Sequence, residues 1–207
     1  MKINLQKGIV CMHTQGRLEV ICGSMFSGKS EELIRRLRRT QIAGKKTIAF
    51  KHSLDDRKTT EYVISHNGNQ IPAFPIDNPA TIPSLLTPDI EVIGIDEAQF
   101  FSNNLIEVVL SLVDNGKYVV VAGLDLTFRA DPFGTMPLLM ALADTVTKLS
   151  AVCTVCGKDA HFTQRLVNGK PAAYDDPIIL IGAEEAYQAR CRSCFFINKK
   201  MNWKQLP

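Results

Sequence analysis

Beyond residue 16 the hydrophobic positions of the chain fall into two alternating patterns. Leu18-Glu19-Val20-Ile21-Cys22 is a short apolar run closed by Gly23 and predicts a strand. Residues 30–43 place Leu33, Ile34 and Leu37 on one face, the spacing of an amphipathic helix, with Gly44 as its stop. Residues 47–50 predict a second strand, and 90–95 a third that ends at Asp96. Residues 105–113 predict a helix closed by Asn115-Gly116, 118–122 a strand, 137–143 a short helix and 145–149 a last strand. The run 118–122 is mostly β-branched, the mark of a strand covered on both faces. Strand and helix in alternation predict an α/β fold on a parallel sheet, with functional groups at the carboxyl ends of the strands. Residues 1–16 carry no such pattern and read as a flexible N-terminal arm. Past Ser150 the periodicity fades, and cysteines, glycines and prolines take over. We therefore expect a main α/β domain over 17–150 and a small second domain over 151–207.

Composition changes this picture little. With 207 residues, 45% of them hydrophobic, the chain has the material for one core and a small appendage. A formal charge of +3 singles out no nucleic-acid partner. The N-terminus lacks a signal-peptide pattern, and no run approaches the ~18 apolar residues of a membrane span, so a cytoplasmic protein is expected. In such a compartment the six cysteines suit metal or catalysis better than disulfides.

Gly23-Ser24-Met25-Phe26-Ser27-Gly28-Lys29-Ser30 fits the phosphate-loop pattern G-x-x-x-x-G-K-[ST], with an apolar run before it and a helix after it. Glycines let the backbone wrap a phosphate, amides at the helix start point at the anion, Lys29 offers charge and Ser30 a hydroxyl for Mg²⁺. Arg35, Arg36, Arg38 and Arg39 follow, spread around the helix, and read as a solvated face. The apolar strand through residues 92–95 ends in Asp96 and Glu97. An Asp there supports Mg²⁺ in phosphate-loop enzymes, and a carboxylate beside the γ-phosphate can accept a proton from an attacking hydroxyl. The strand carrying Asp96 is expected to lie next to the strand feeding Gly23, which would bring Asp96 near Ser30. These two motifs do not tell a kinase from an ATPase or a switch.

Cys153-Thr154-Val155-Cys156 and Cys191-Arg192-Ser193-Cys194 are two C-x-x-C hooks. Thiolates at i and i+3 take two corners of a tetrahedron, so two hooks make a closed, structural Zn²⁺ site. The metal would close the base of a long loop. Cys22 reads as core, and Cys11 is left over. His13, His52, His66 and His161 are scattered and read as surface or satisfied structural residues, although His161 lies near a hook.

The order of G-S-M-F-S-G-K-S, I-D-E-A-Q-F-F, G-L-D-L-T-F-R-A-D-P-F-G and the two hooks resembles the type II thymidine kinase family, from about Arg17 to Phe196. The resemblance implies a P-loop NTPase-like (RecA-like) parallel sheet with helices on both faces and a small zinc-binding lasso domain. It implies transfer of the ATP γ-phosphate to the 5′-hydroxyl of thymidine. Residues 23–30 would hold ATP with Mg²⁺, joined by Asp96, Glu97, Ala98 and Gln99, and Glu97 would be the catalytic base. Arg57, with Asp55 nearby, would orient the hydroxyl or the phosphates. Met25, Leu124, Phe128 and Phe133 match the lining of the thymine pocket. In the lasso, Ile178, Ile179, Leu180, Ile181 and Gly182 would meet the base edge through backbone groups, and Tyr187 would bury it. The resemblance further implies a homotetramer inhibited by thymidine triphosphate, with neither nucleic acid nor membrane as partner. Two departures stand out: Ala98 where the family often has Gly, and a stretch 167–176 longer than in some relatives. The alternative is a phosphate-loop ATPase with a zinc ribbon on nucleic acid. Asp175, Asp176, Glu184 and Glu185 would repel phosphates there.

Overall fold

The computed structural model describes residues 16–54, 61–65, 67–178 and 185–197. The elements run β1 (Arg17–Gly23), α1 (Lys29–Ile42), β2 (Thr47–His52), β3 (Tyr62–Ile64), β4 (Gln70–Pro72), β5 (Phe74–Ile76), α2 (Ile82–Leu85), β6 (Val92–Asp96), α3 (Asn104–Asp114), β7 (Tyr118–Gly123), α4 (Met136–Leu142) and β8 (Thr145–Leu149). The cysteine-rich part follows with β9 (Ala151–Val152), β10 (Asp159–Ala160), β11 (Phe162–Val167), β12 (Lys170–Pro171) and β13 (Glu185–Arg190).

Six strands form one sheet in the order β5-β2-β6-β7-β1-β8, and every pairing in it is parallel. Each strand has an apolar side chain for both faces, so the sheet must be covered twice. On one face Leu18, Val20, Ile93, Ile95, Val119 and Val121 pack with Leu105, Val109 and Leu112 of α3 and Met136 and Leu139 of α4. On the other, Ile21, Val92, Val120 and Ala122 pack with Leu33, Ile34 and Leu37 of α1, at about 1.5–3 kcal/mol per side chain buried. Helix α1 sits close enough that a Cβ on Gly94 would meet Leu37 Cδ1 at 2.5 Å.

The strands and helices expected from the hydrophobic pattern are all present, to within a few residues. The adjacency expected for β6 is corrected. It pairs with β2 and β7, not with β1, so one strand separates Asp96 from the strand feeding Gly23. Strand β7 is apolar on both faces, which makes a central position the one that covers it. Strand β5 escaped the pattern because it is three residues long and contains Pro75; an edge position, paired only to β2, tolerates that.

The four arginines of α1 are not one solvated face. Arg35, Arg38 and Arg39 are exposed, but Arg36 is half-buried. It reaches Glu19 at 2.6 Å, Glu32 at 2.8 Å and Thr147 at 2.8 Å, pairing the buried Glu19 carboxylate under the helix. In the cysteine-rich part, β11 is the middle strand of an antiparallel three-stranded sheet, β12-β11-β13. Asn168 (φ 51°) and Gly169 (φ 74°) make the two-residue turn from β11 to β12.

Candidate active site

The phosphate loop lies between β1 and α1, at the carboxyl edge of the sheet. Gly28, with φ 84°, is the N-cap of α1, and Glu31 and Glu32 complement the positive end of its dipole. A side chain on Gly23 would collide with Leu149 O at 2.4 Å, so β8 holds the loop's first turn closed. Lys29 is buried and donates from Nζ to Ser24 O at 2.8 Å; Ser27 Oγ donates to the same carbonyl at 2.9 Å. Phe26 is half-exposed with φ 65°, and Ser30 is partly buried.

Asp96 and Glu97 end β6 as a pair of buried acids, 3% and 5% exposed. Glu97 N donates to Asp96 Oδ1 at 2.9 Å. Glu97 has φ 53°, a left-handed conformation that costs a non-glycine residue about 1 kcal/mol. Its Oε2 accepts from Gln99 Nε2 at 2.5 Å, and Gln99 Oε1 in turn accepts from Leu124 N at 2.9 Å. Gln99 thereby ties the acid at the end of β6 to the loop after β7. Neighbouring groups hold Gln99 in place. A Cβ on Gly134 would meet Gln99 O at 2.3 Å, and Thr135 Oγ1 donates to Ala98 O at 2.9 Å. Lys51 is 1% exposed on β2, in register with Asp96, so a buried cation shares this strand end with the acids.

The loop 124–134 forms the opposite wall. Leu124 and Phe133 are half-buried, and Phe128 is buried. Phe133 meets Phe100 edge-on at 5.8 Å, while Phe133 N donates to Asp125 O at 3.1 Å. Asp125 is buried with Lys148 Nζ 2.7 Å from Oδ2. Burial and then Asp125 push the nearby Cys22 thiol up to about 11, so Cys22 is an inert core residue, as expected.

Strands β10 and β11 close the site from the cysteine-rich side. Ser24 Oγ donates to Ala160 O at 3.2 Å and Met25 N to Thr163 Oγ1 at 3.0 Å. Arg165, two residues on and on the same face, is fully buried with its guanidinium carbon 5.0 Å from the Phe128 ring centroid. Tyr187 of β13 stands opposite Arg165 in the ladder, which brings it to that face. Met25, Leu124, Phe128, Phe133 and Tyr187 thus come from three separate parts of the chain to one region. Ile178 is exposed at its rim. Asp55, Arg57, Ile179, Leu180, Ile181 and Gly182 lie outside the described residues.

Sequence reasoning passed over Thr163, Arg165 and Arg129. A threonine or arginine in a strand carries no signal of burial.

The four cysteines of the two hooks converge, with all ligand atoms within 4.8 Å of one another and Cys156 Sγ 3.5 Å from Cys191 Sγ. A tetrahedron with Zn–S bonds of ~2.3 Å has edges of about 3.8 Å, so the spacing fits four-thiolate coordination. Burial works against ionising Cys153, yet backbone amides of Cys191, Val155 and Cys156 bring its thiol down to about 6, while hydrogen bonding with Cys191 and Cys156 pushes the Cys194 thiol up to about 12. His161 is not part of this cluster. His52 is buried against Phe101 at 4.7 Å, and burial lowers its pKa; it is structural, as expected. A surface cavity of about 320 Å³ lined by Glu19, Arg36, Arg39 and Tyr118 lies at the other end of α1, away from these groups. No helix among the described residues is long and apolar enough to cross a membrane.

Compared with models of known protein families, residues 16–195 match the family described as thymidine kinase.

Proposed function

That the chain belongs to the thymidine kinase family, and so is a phosphotransferase, is the premise from which we propose its chemistry: the γ-phosphoryl group of ATP passes to the 5′-hydroxyl of thymidine. The observation that carries this reading is the hydrogen-bond chain Glu97–Gln99–Leu124. It links a buried carboxylate at the end of β6, on the same carboxyl edge of the sheet as the phosphate loop, to the loop that carries Phe128 and Phe133. A base so placed faces a bound hydroxyl, where a plain ATPase would need only water.

Residues 23–30 receive the ATP phosphates, and Lys29 exchanges the Ser24 carbonyl for phosphate oxygens. Ser30 and Asp96 offer the hydroxyl and carboxylate oxygens that Mg²⁺ prefers, and the ion would neutralise charge on the transferred group. Glu97 takes the proton of the 5′-hydroxyl as that oxygen bonds to the γ-phosphorus. The bond from phosphorus to the bridging oxygen breaks, and ADP leaves. Ala98 and Gln99 complete this end of the site. Asp55 and Arg57 orient the hydroxyl or the phosphates.

The thymine ring lies among Met25, Leu124, Phe128, Phe133 and Tyr187. Backbone groups of residues 178–182 pair with its edge, a donor at N3 flanked by acceptors. The cysteine quartet holds a structural Zn²⁺ at the base of the lasso, which fits its spacing. We assign residues 17–150 to the nucleotide-binding domain and 151–207 to the lasso domain. We also assign a homotetramer, inhibition by thymidine triphosphate and a cytoplasmic location, where thiolate ligands stay reduced.

The test is ADP formation in the presence of thymidine, deoxyuridine or deoxycytidine. Cytosine reverses donor and acceptor at N3 and C4, leaving buried backbone groups unpaired at about 1–3 kcal/mol each. Thymidine-dependent turnover with deoxycytidine a much poorer substrate supports the reading. Equal use of deoxycytidine overturns the backbone recognition, and ADP release independent of any nucleoside overturns the kinase assignment to thymidine.

A further inference from the structure

Two arginines beside Phe128 take no part in the transfer described above. Arg165, on β11, is fully buried; its guanidinium carbon lies 5.0 Å from the Phe128 ring centroid and it donates from Nη1 to Pro177 O at 2.5 Å. Arg129, next to Phe128 in the chain, lies 5.6 Å from the same ring and 5.1 Å from the ring of Tyr174. It donates from Nη2 to Asp176 O at 2.6 Å. Tyr174 answers from the other side, its hydroxyl bonded to Asp131 Oδ2 at 3.0 Å.

These contacts share a direction. The bonds of Arg129, Arg165 and Tyr174 join the loop 124–134, or β11 beside it, to residues 174–177, the limb that leads into the proposed base-reading segment. The limb is also folded on itself: Ala173 N donates to Asp176 Oδ2 at 2.9 Å, Asp176 N to Ala173 O at 3.2 Å, and Ala172 N to Arg165 O at 3.0 Å. Ala130, with φ 63°, turns the chain immediately after Arg129. A guanidinium suits this position because it is planar. It lies over an aromatic face and still donates along its edge to a carbonyl, which an ammonium does less well.

We propose that Arg129 and Arg165 are positioning residues that clamp the limb 172–178 onto Phe128, and so set the affinity for the nucleoside without acting on phosphate transfer. The proposal rests on the reading that the nucleoside binds beside Phe128. Ring and limb are held by the same two cations, so the pocket wall and the segment that covers it move together. A single guanidinium lost from this pair frees both. The bonds from Arg129 to Asp176 O and from Arg165 to Pro177 O run to this limb, so the loss is expected on the nucleoside side.

The experiment uses the full chain with its zinc content measured. Variants are Arg129→Lys, Arg129→Gln, Arg165→Lys and Tyr174→Phe; Arg129 and Tyr174 are half-buried and their replacement leaves the core intact. Two quantities are read: the KM values for thymidine and ATP with kcat, and amide hydrogen exchange of the peptide spanning residues 172–178. The expected result is a thymidine KM raised about tenfold in Arg129→Gln and less in Arg129→Lys, with kcat and the ATP KM within about twofold. Protection of the 172–178 amides should fall in the same order, with unchanged zinc. Unchanged thymidine KM and unchanged protection in Arg129→Gln and Tyr174→Phe overturn the clamp. Equal losses for both substrates together with loss of zinc also overturn it, since the arginines then merely hold the fold. The exchange arm needs no turnover. If the protein did not phosphorylate thymidine at all, the proposed function would fail, while amide protection would still decide the clamp.

Discussion

The two ends of the proposed site, one for phosphate and one for nucleoside, are assembled by different means. At the phosphate end, residues 23–30 are contiguous, and Asp96 and Glu97 close a strand two positions away in the sheet. Every group there sits at a strand end or a helix start, and the parallel sheet alone brings them to one edge. At the nucleoside end, Met25, Leu124, Phe128, Phe133 and Tyr187 are drawn from distant parts of the chain. They are held by single contacts: Met25 N to Thr163, Leu124 N to Gln99, and Arg165 over Phe128. The first kind of site is rigid because its scaffold is the core. The second depends on the small cysteine-rich appendage staying docked. Among the described non-glycine residues with positive φ, Phe26, Glu97 and Ala130 belong to this site, and Asn168 to the β11–β12 turn.

The sharpest probe of this difference acts on the group that joins the two ends. Glu97→Gln keeps the shape of the side chain and its link to Gln99, so both substrates should still bind. Turnover should fall by about 10²–10⁴-fold, the usual cost of losing a general base. Substrate binding measured by calorimetry beside single-turnover kinetics checks this, and turnover near that of the unaltered enzyme would move the base elsewhere.

A smaller effect is expected at the metal. Cys191→Ser should take zinc from about one per chain to near none, measured by atomic absorption. The thymidine KM should rise about tenfold or more and the ATP KM by less, since the cysteine-rich part carries the proposed lasso, while its ties to the phosphate loop are the hydrogen bonds from Ser24 to Ala160 and from Met25 to Thr163. Parallel loss of ATP binding would erase the distinction between the two ends. Full activity in metal-free protein would show that the brace is not needed.

The smallest effect concerns the core beneath both ends. Burial lowers the pKa of His52 below the ordinary 6.5, with Asp77 opposing it. The folded protein therefore holds fewer protons at this ring than the unfolded chain does below that value. The stability tied to the neutral ring is fully present above pH 6.5 and is lost as the pH falls below it. Melting curves at about pH 7.5 and about pH 5.5 should show a smaller acid-side loss in His52→Gln than in the unaltered protein. Equal losses in both would remove His52 from the acid response.

What the sequence alone determined follows from how local each signal is. The phosphate loop, the apolar strand ending in Asp96-Glu97, and the paired cysteine hooks are each set by a handful of consecutive residues. Their geometry is that of a turn, a strand end or a tetrahedron corner. The helices and central strands were legible for a like reason, since the sheet's two covered faces impose their periods on residues 18–22, 30–43 and 118–122. Strand order was not legible. Nothing local to residues 92–96 says that β7 lies between them and β1; that comes from the need to cover a strand apolar on both faces. Nor did the sequence betray that Arg36 dives under α1 to pair Glu19, or that Arg165 is wholly buried. A charged side chain is placed inside only when a distant partner compensates it, and such partners, here Glu19 for Arg36 and the Phe128 ring with Pro177 O for Arg165, exist only once the chain has folded.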